Sequence, residues 1–158
     1  MPNGQPRVTR PHMPGYGIPA SLEGALPWEW ARERLERSRN YFVATVRPDG
    51  RPHCMPVWGT WIDNRFMFST DANSRKARNL EQTPECVVTT EGAREAVIVE
   101  GRAREERDEE LLARWRTAYQ EKYGWAMDSS GAYTVLPRRA FGFIESDDFE
   151  ATATRWLF

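Results

Sequence analysis

Hydrophobic positions along the chain switch between the 3.6-residue period of a helix and the two-residue period of a strand. Residues 1–26 show neither: Pro2, Pro6, Pro11, Pro14 and Pro19 with several glycines predict an extended arm. Tyr16 and Ile18 offer it a means of packing on the body or on a partner subunit, the alternative being a disordered tail. From Leu26 the period becomes helical. Pro27 suits a first helical position, and Trp28, Ala31 and Leu35 share one face, opposite the charged Glu29, Arg32, Glu33 and Glu36. This helix is expected to end near Arg39. Residues 41–46 and 51–62 then read as two β-runs joined by a tight Asp49-Gly50 turn. In the second run His53, Met55, Val57, Gly59 and Trp61 alternate with Cys54, Pro56, Trp58, Thr60 and Ile62.

Asp63-Asn64 turns the chain into a strand at 65–69, with Phe66 and Phe68 on one face, extending an antiparallel meander. A short helix follows at 73–82, then strands at 85–90 and 96–104, the latter bent at Gly101. Leu111, Leu112, Trp115, Ala118, Tyr119 and Lys122 mark an amphipathic helix over 108–123, and β-runs at 140–144 and 152–158 close the chain. Short strands with inserted helices predict an α+β protein. Its core is expected to be a closed or nearly closed antiparallel barrel of six or seven strands, one domain over 27–158.

Composition narrows the partners. The net charge is −1 and the basic residues are scattered, so electrostatics favour neither nucleic acid nor a membrane surface. Small molecules or another protein chain are expected instead. No run approaches the ~18 apolar residues of a membrane span, and Met1 to Pro14 is unlike a secretory signal, which points to the cytoplasm. Cys54 and Cys86 stand outside any CxxC spacing and read as two buried thiols; the only histidines are His12 and His53. Against an arginine-dominated background, the two lysines, Lys76 and Lys122, mark positions where a compact ammonium is wanted.

The segment from Ser69 to Leu80 carries the clearest chemistry. It leaves a strand through Ser69 and Thr70 and enters a helix whose first turn holds Ser74, Arg75 and Lys76. Hydroxyls and cations at a helix N-terminus make a phosphate cradle; the same residues also read as an ordinary cap, Asn73 or Ser74, with solvated cations. Nearby, Pro52 and Pro56 interrupt a β-run, which suits an edge strand or a surface for a flat ring. His53 is an acid, a ligand or simply a packed residue. The acidic run from Glu105 to Glu110 reads as favourable charge before a helix. Hydrolase triads, Walker loops and zinc motifs have no counterpart.

The order of segments resembles the pyridoxamine 5′-phosphate oxidase-like, FMN-binding split-barrel superfamily, and within it the actinobacterial flavin- and deazaflavin-dependent oxidoreductases. The resemblance runs from about Trp28 to Phe158. It is carried by Tyr41 to Val46, by Asp49-Gly50-Arg51-Pro52-His53, by Pro56-Val57-Trp58, by Phe68-Ser69-Thr70 and above all by Ser74 to Leu80. It implies a homodimer with two cofactors between subunits. The residues matching Ser69, Thr70, Ser74, Arg75 and Lys76 then hold the phosphate and ribityl chain. The strand matching His53, Cys54, Met55, Pro56, Val57 and Trp58 lies along the ring. Arg78 and Arg51 are candidates for a longer acidic tail, and Arg155 and Trp156 for the partner's ring or the dimer seam, with closure of the barrel core as the alternative for that aromatic strand.

True pyridoxamine-phosphate oxidases carry a C-terminal Arg-x-His segment that is missing here, and Ala96 stands where they place a ring-contacting Gln. The resemblance therefore implies a different oxidoreductase, using FMN or the deazaflavin coenzyme F-420, in which the cofactor carries the hydride chemistry and no side chain need act as acid or base. The alternatives are a non-catalytic flavin or haem carrier, with His53 as haem ligand, and a dimerisation module with a vestigial groove.

Overall fold

The computed structural model describes residues 4–158. Among them are nine strands and four helices. The strands are β1 (Arg7–Thr9), β2 (Tyr41–Val46), β3 (Pro52–Val57), β4 (Gly59–Ile62), β5 (Arg65–Ser69), β6 (Glu85–Thr90), β7 (Glu95–Glu105), β8 (Ala132–Ile144) and β9 (Thr154–Leu157). The helices are α1 (Trp28–Arg37), α2 (Arg75–Gln82), α3 (Glu109–Tyr123) and α4 (Phe149–Thr152). All pairings are antiparallel, in the order β1-β9-β8-β7-β6-β2-β3, with β4 on β5 and β5 on β8. The long β8 is shared: its first residues pair with β5, its later ones with β9, and both stretches pair with β7 on the other side.

The α+β split barrel expected from the sequence is present, with more strands than the six or seven anticipated. Two causes account for this. The run 51–62 is not one strand, because the chain breaks at Trp58 into β3, which pairs with β2, and β4, which pairs with β5. The expected meander is therefore two hairpins, β2–β3 joined to β6 and β4–β5 joined to β8. Gly59 makes the break possible, since a Cβ there would run into the Phe66 ring and the Met67 carbonyl. The second cause is the arm, whose residues Arg7–Thr9 form β1 against β9. The Arg10 guanidinium fastens it by donating to the carbonyls of Ser21, Glu23, Ala151 and Ala153 at 2.7–2.8 Å.

Elsewhere differences lie at boundaries. Pro27 is the cap residue before α1 and not its first turn, and α1 ends at Arg37. β8 begins at Ala132, eight residues before the expected 140, because Tyr133 and Val135 alternate with Ala132, Thr134 and Leu136 against β7 up to Pro137. The bend at Gly101 is a register shift opposite that proline.

Alternation fills the barrel. Tyr41, Val43, Phe66, Phe68, Val88, Val97, Val99, Val135 and Trp156 form the main core with Trp28, Ala31 and Leu35 of α1. On the opposite face of β5, Met67 packs under Leu111, Leu112, Trp115 and Tyr119 of α3. Asp108 caps α3 by accepting from the amides of Glu110 and Leu111, so the acidic run is used as helix-start charge. No described helix is long and apolar enough to cross a membrane.

Candidate functional site

The residues expected to form a cradle come together after the end of β5. Ser74 takes the N-cap position of α2, its Oγ accepting the Ala77 amide at 3.1 Å and the Thr70 hydroxyl at 2.8 Å. Asn73, the other candidate cap, instead donates its amide to Asp71. With Ala77 satisfied, the amides of Arg75 and Lys76 precede any intrahelical acceptor and face outward with the positive end of the helix. The loop before β8 supports this turn. Thr70 N–H donates to the Gly131 carbonyl at 3.0 Å, and Ser69 Oγ donates to the Ser130 carbonyl at 2.7 Å. Gly131 has a left-handed φ of +63°, and a Cβ there would strike the Thr70 carbonyl, so glycine is required.

Beneath α2 lies a polar cluster. His53 of β3 stands opposite Thr45 of β2, and Asn79 of α2 donates Nδ2 to Thr45 Oγ1 at 2.9 Å. His53 is 7% exposed and Asn79 wholly buried. Yet His53 Nδ1 and Asn79 Oδ1 have no hydrogen-bond partner. Burial, then the cations of Arg47, Lys76 and Arg75, hold the His53 pKa below its usual value. Burial also lowers the pKa of Lys76. The cations Arg75 and Lys76 at a helix N-terminus, with Arg47 near, suit an anion with several oxygens, such as a phosphate monoester.

The proline-bearing strand is an edge, since β3 pairs only with β2 among the described strands. Met55 and Trp58 are exposed, and Val57 is partly covered. Cys54 and Pro56 face outward, so Cys54 is not the buried thiol expected from the sequence; Cys86 is buried. Trp58 is held firmly. Its ring stacks on Tyr123 at 4.6 Å and 7°, and Arg39 lies near both rings. The Gly59 carbonyl after it accepts from Lys122 Nζ at 3.0 Å and Tyr123 Oη at 2.8 Å, while Lys122 also donates to Tyr41 Oη at 2.6 Å. Burial pulls the Lys122 amine down to about 8 despite the attraction of Glu91.

Not every predicted residue joins the site. Arg78 is exposed on α2, and Arg51 is spent on Asp49 in its own turn. Trp156 is fully buried against Trp28, which corrects the expectation that it reaches a ligand: alternation along β9 sends Trp156 inward and Arg155 outward. Arg155 donates to Thr9 Oγ1 at 2.9 Å. It pairs with Phe141 of β8, while Ser69 pairs with Ala132. Roughly 30 Å of strand separate those points at about 3.3 Å per residue, so one chain does not bring Arg155 to its own cradle.

Sequence reasoning missed Thr45, Asn79, Gly131 and the clamp around Trp58. One signal was available, since Asn79 sits between Ala77 and Leu80 on the buried face of α2, where an amide needs partners.

Barrel, shared β8 and the edge strand β3 together define a split-barrel protein. The family model described as pyridoxamine 5′-phosphate oxidase matches residues 28–151, and the chain belongs to that family. Among solved structures, the conserved hypothetical protein Rv2991 from Mycobacterium tuberculosis is 28% identical, with a TM-score of 0.61 over 72% of this chain and 81% of that one. An F420 reductase is 20% identical over 69% and 94% of the two chains, with a TM-score of 0.54. HutZ, the haem storage protein from Vibrio cholerae, is 21% identical over 70% and 86%, with a TM-score of 0.55. No curated protein matches the chain.

Proposed function

We propose that this protein is a homodimeric oxidoreductase that binds FMN, or the deazaflavin coenzyme F-420, and moves hydride between the cofactor and an unsaturated small molecule. The carrying observation is the meeting of Thr70, Ser74, Arg75 and Lys76 at the start of α2, near the buried His53 whose Nδ1 has no partner. Both cofactors join a phosphate to a tricyclic ring; when bound, the ring supplies the hydride chemistry. The chain's own residues do the rest. The helix amides, Ser74, Arg75 and Lys76 hold the phosphate, the edge of β3 offers backbone groups to the ring, and Trp58 presents a fixed apolar plate. The F420 reductase among the structural neighbours supports the deazaflavin as an occupant. All of these groups lie in residues 27–158, apart from the arm.

The dimer draws on the outer sheet face, where Phe42, Ala44 and Val46 of β2 pair with Pro56, Cys54 and Pro52 of β3. Phe42 and Ala44 also pair with Thr89 and Val87 of β6. Phe42 and Val46 are 41% and 38% exposed, an apolar face suited to a second copy. Arg155, which points outward on the same sheet, is our candidate for a residue that reaches the partner's site. The free Cys54 thiol accords with a reducing, cytoplasmic setting.

The test is fluorescence titration of the purified protein with FMN and with F-420, alongside Lys76→Ala. Binding of one cofactor, weakened in the variant by about 1.5–3 kcal/mol for a lost charged hydrogen bond, is the expected result. Binding of neither overturns the reading. A haem carrier is the second reading, supported by the HutZ likeness and by His53; a Soret band on haem addition, absent in His53→Gln, would favour it.

A further inference from the structure

Anion recognition by itself calls for cations and amides; it does not call for an imidazole. Yet His53 is buried beneath α2, facing Thr45 across the hairpin and sharing its surroundings with Asn79. Its Nδ1 is shut off without a partner, as is Asn79 Oδ1. The charged groups that act on it most are cations: Arg47 from the β2–β3 turn, Lys76 and Arg75 from the first turn of α2. Resting on the cofactor reading above, we propose that occupancy of the cradle by a phosphate monoester draws a proton onto His53, so that His53 is a proton-coupled positioning residue of the anion site.

The physical basis is a change of field. In the free protein burial and three cations disfavour the imidazolium. A doubly charged phosphate at α2 offsets Arg75 and Lys76, and the imidazolium becomes the favourable form. The new proton also turns the imidazole into a donor at both nitrogens, giving the orphaned Nδ1 the capacity to satisfy an acceptor, whether Asn79 Oδ1 or a phosphate oxygen. Coupling is reciprocal: if the anion favours the proton, the proton favours the anion by the same factor. Affinity at the acid end of the His53 titration should therefore exceed that of a chain unable to take up the proton.

The chain is suited to a direct measurement, because His12, the only other histidine, is exposed and serves as an internal reference. Imidazole proton resonances would be followed by NMR against pH for the free protein and for the protein saturated with FMN. The expected result is a rise of about one unit in the His53 midpoint, a tenfold change in proton affinity, with His12 unmoved. FMN titrations of His53→Gln, and of His53→Asn should the first variant fold poorly, should lose the matching tenfold gain at low pH. FMN binding with an unmoved His53 midpoint overturns the coupling while leaving the cofactor reading intact. If neither FMN nor inorganic phosphate binds, both fall.

Discussion

Lys76 lies near His53 at the start of β3 and Lys122 bonds Gly59 just past its end, and their surroundings differ. Lys76 lies with Arg75 at a helix start, where an added phosphate has more than one cation to meet. Replacing Lys76 by Arg should therefore keep part of the phosphate affinity, whereas Ala should not; equilibrium dialysis with FMN separates the two. Lys122 instead spends its hydrogens on Tyr41 and Gly59. Because its amine titrates near 8 when folded, the unfolded chain holds more protons from about pH 8 up to the ordinary lysine range, and stability should rise with pH there. Cys86, pushed up to about 12, acts oppositely above its ordinary value of 9.0, as does Tyr41 above 10.0. Urea midpoints should thus climb from pH 8, level off near 9 and fall above 10, and Lys122→Met should remove most of the climb. Both lysines stood out in the sequence for their rarity. What Lys122 does could not be read there, because Tyr41 and Gly59 are its neighbours only once the barrel has formed.

Two elements decide the groove, the β3–β4 break and the cap of α2. Gly59→Ala should be strongly destabilising, since the added methyl meets backbone as well as the Phe66 ring; a thermal melt checks this. Ser74→Ala should cost about 1 kcal/mol of stability through the lost cap, together with a larger loss of phosphate affinity. The α2 start was legible because hydroxyls, cations and a helical period coincide within one segment. The break at Trp58 was not, because unbroken alternation from Arg51 to Ile62 gives no local sign that residues before and after Trp58 serve different sheet neighbours. Likewise β8 was foreseen only in its last third: Pro137 and the charged Arg138 and Arg139 hide a continuous strand that the long register with β7 enforces.

At the scale of the whole molecule, the α+β barrel and its core followed from periodicity, whereas what lies outside the barrel depends on contacts far apart in sequence. The apolar outer face of β2 and β3 leads to a prediction of this kind. Phe42→Asp places charge on an exposed position, so the monomer should fold, but sedimentation should show loss of the dimer, and cofactor binding should weaken with it if the groove is completed by the second copy.

The arm has a consequence of another sort. β1 lies along β9, which is otherwise the last strand of its branch of the sheet, and Arg10 ties it there through four carbonyls. Clipping away the first 26 residues would bare the backbone of β9 and invite strand-by-strand growth between molecules. The shortened chain should keep its barrel yet turn its solutions cloudy on standing, with the Arg10→Ala protein slower to do so; turbidity against time distinguishes them. A stretch that reads in the sequence as an extended arm or a disordered tail thus serves as a guard rail against self-assembly.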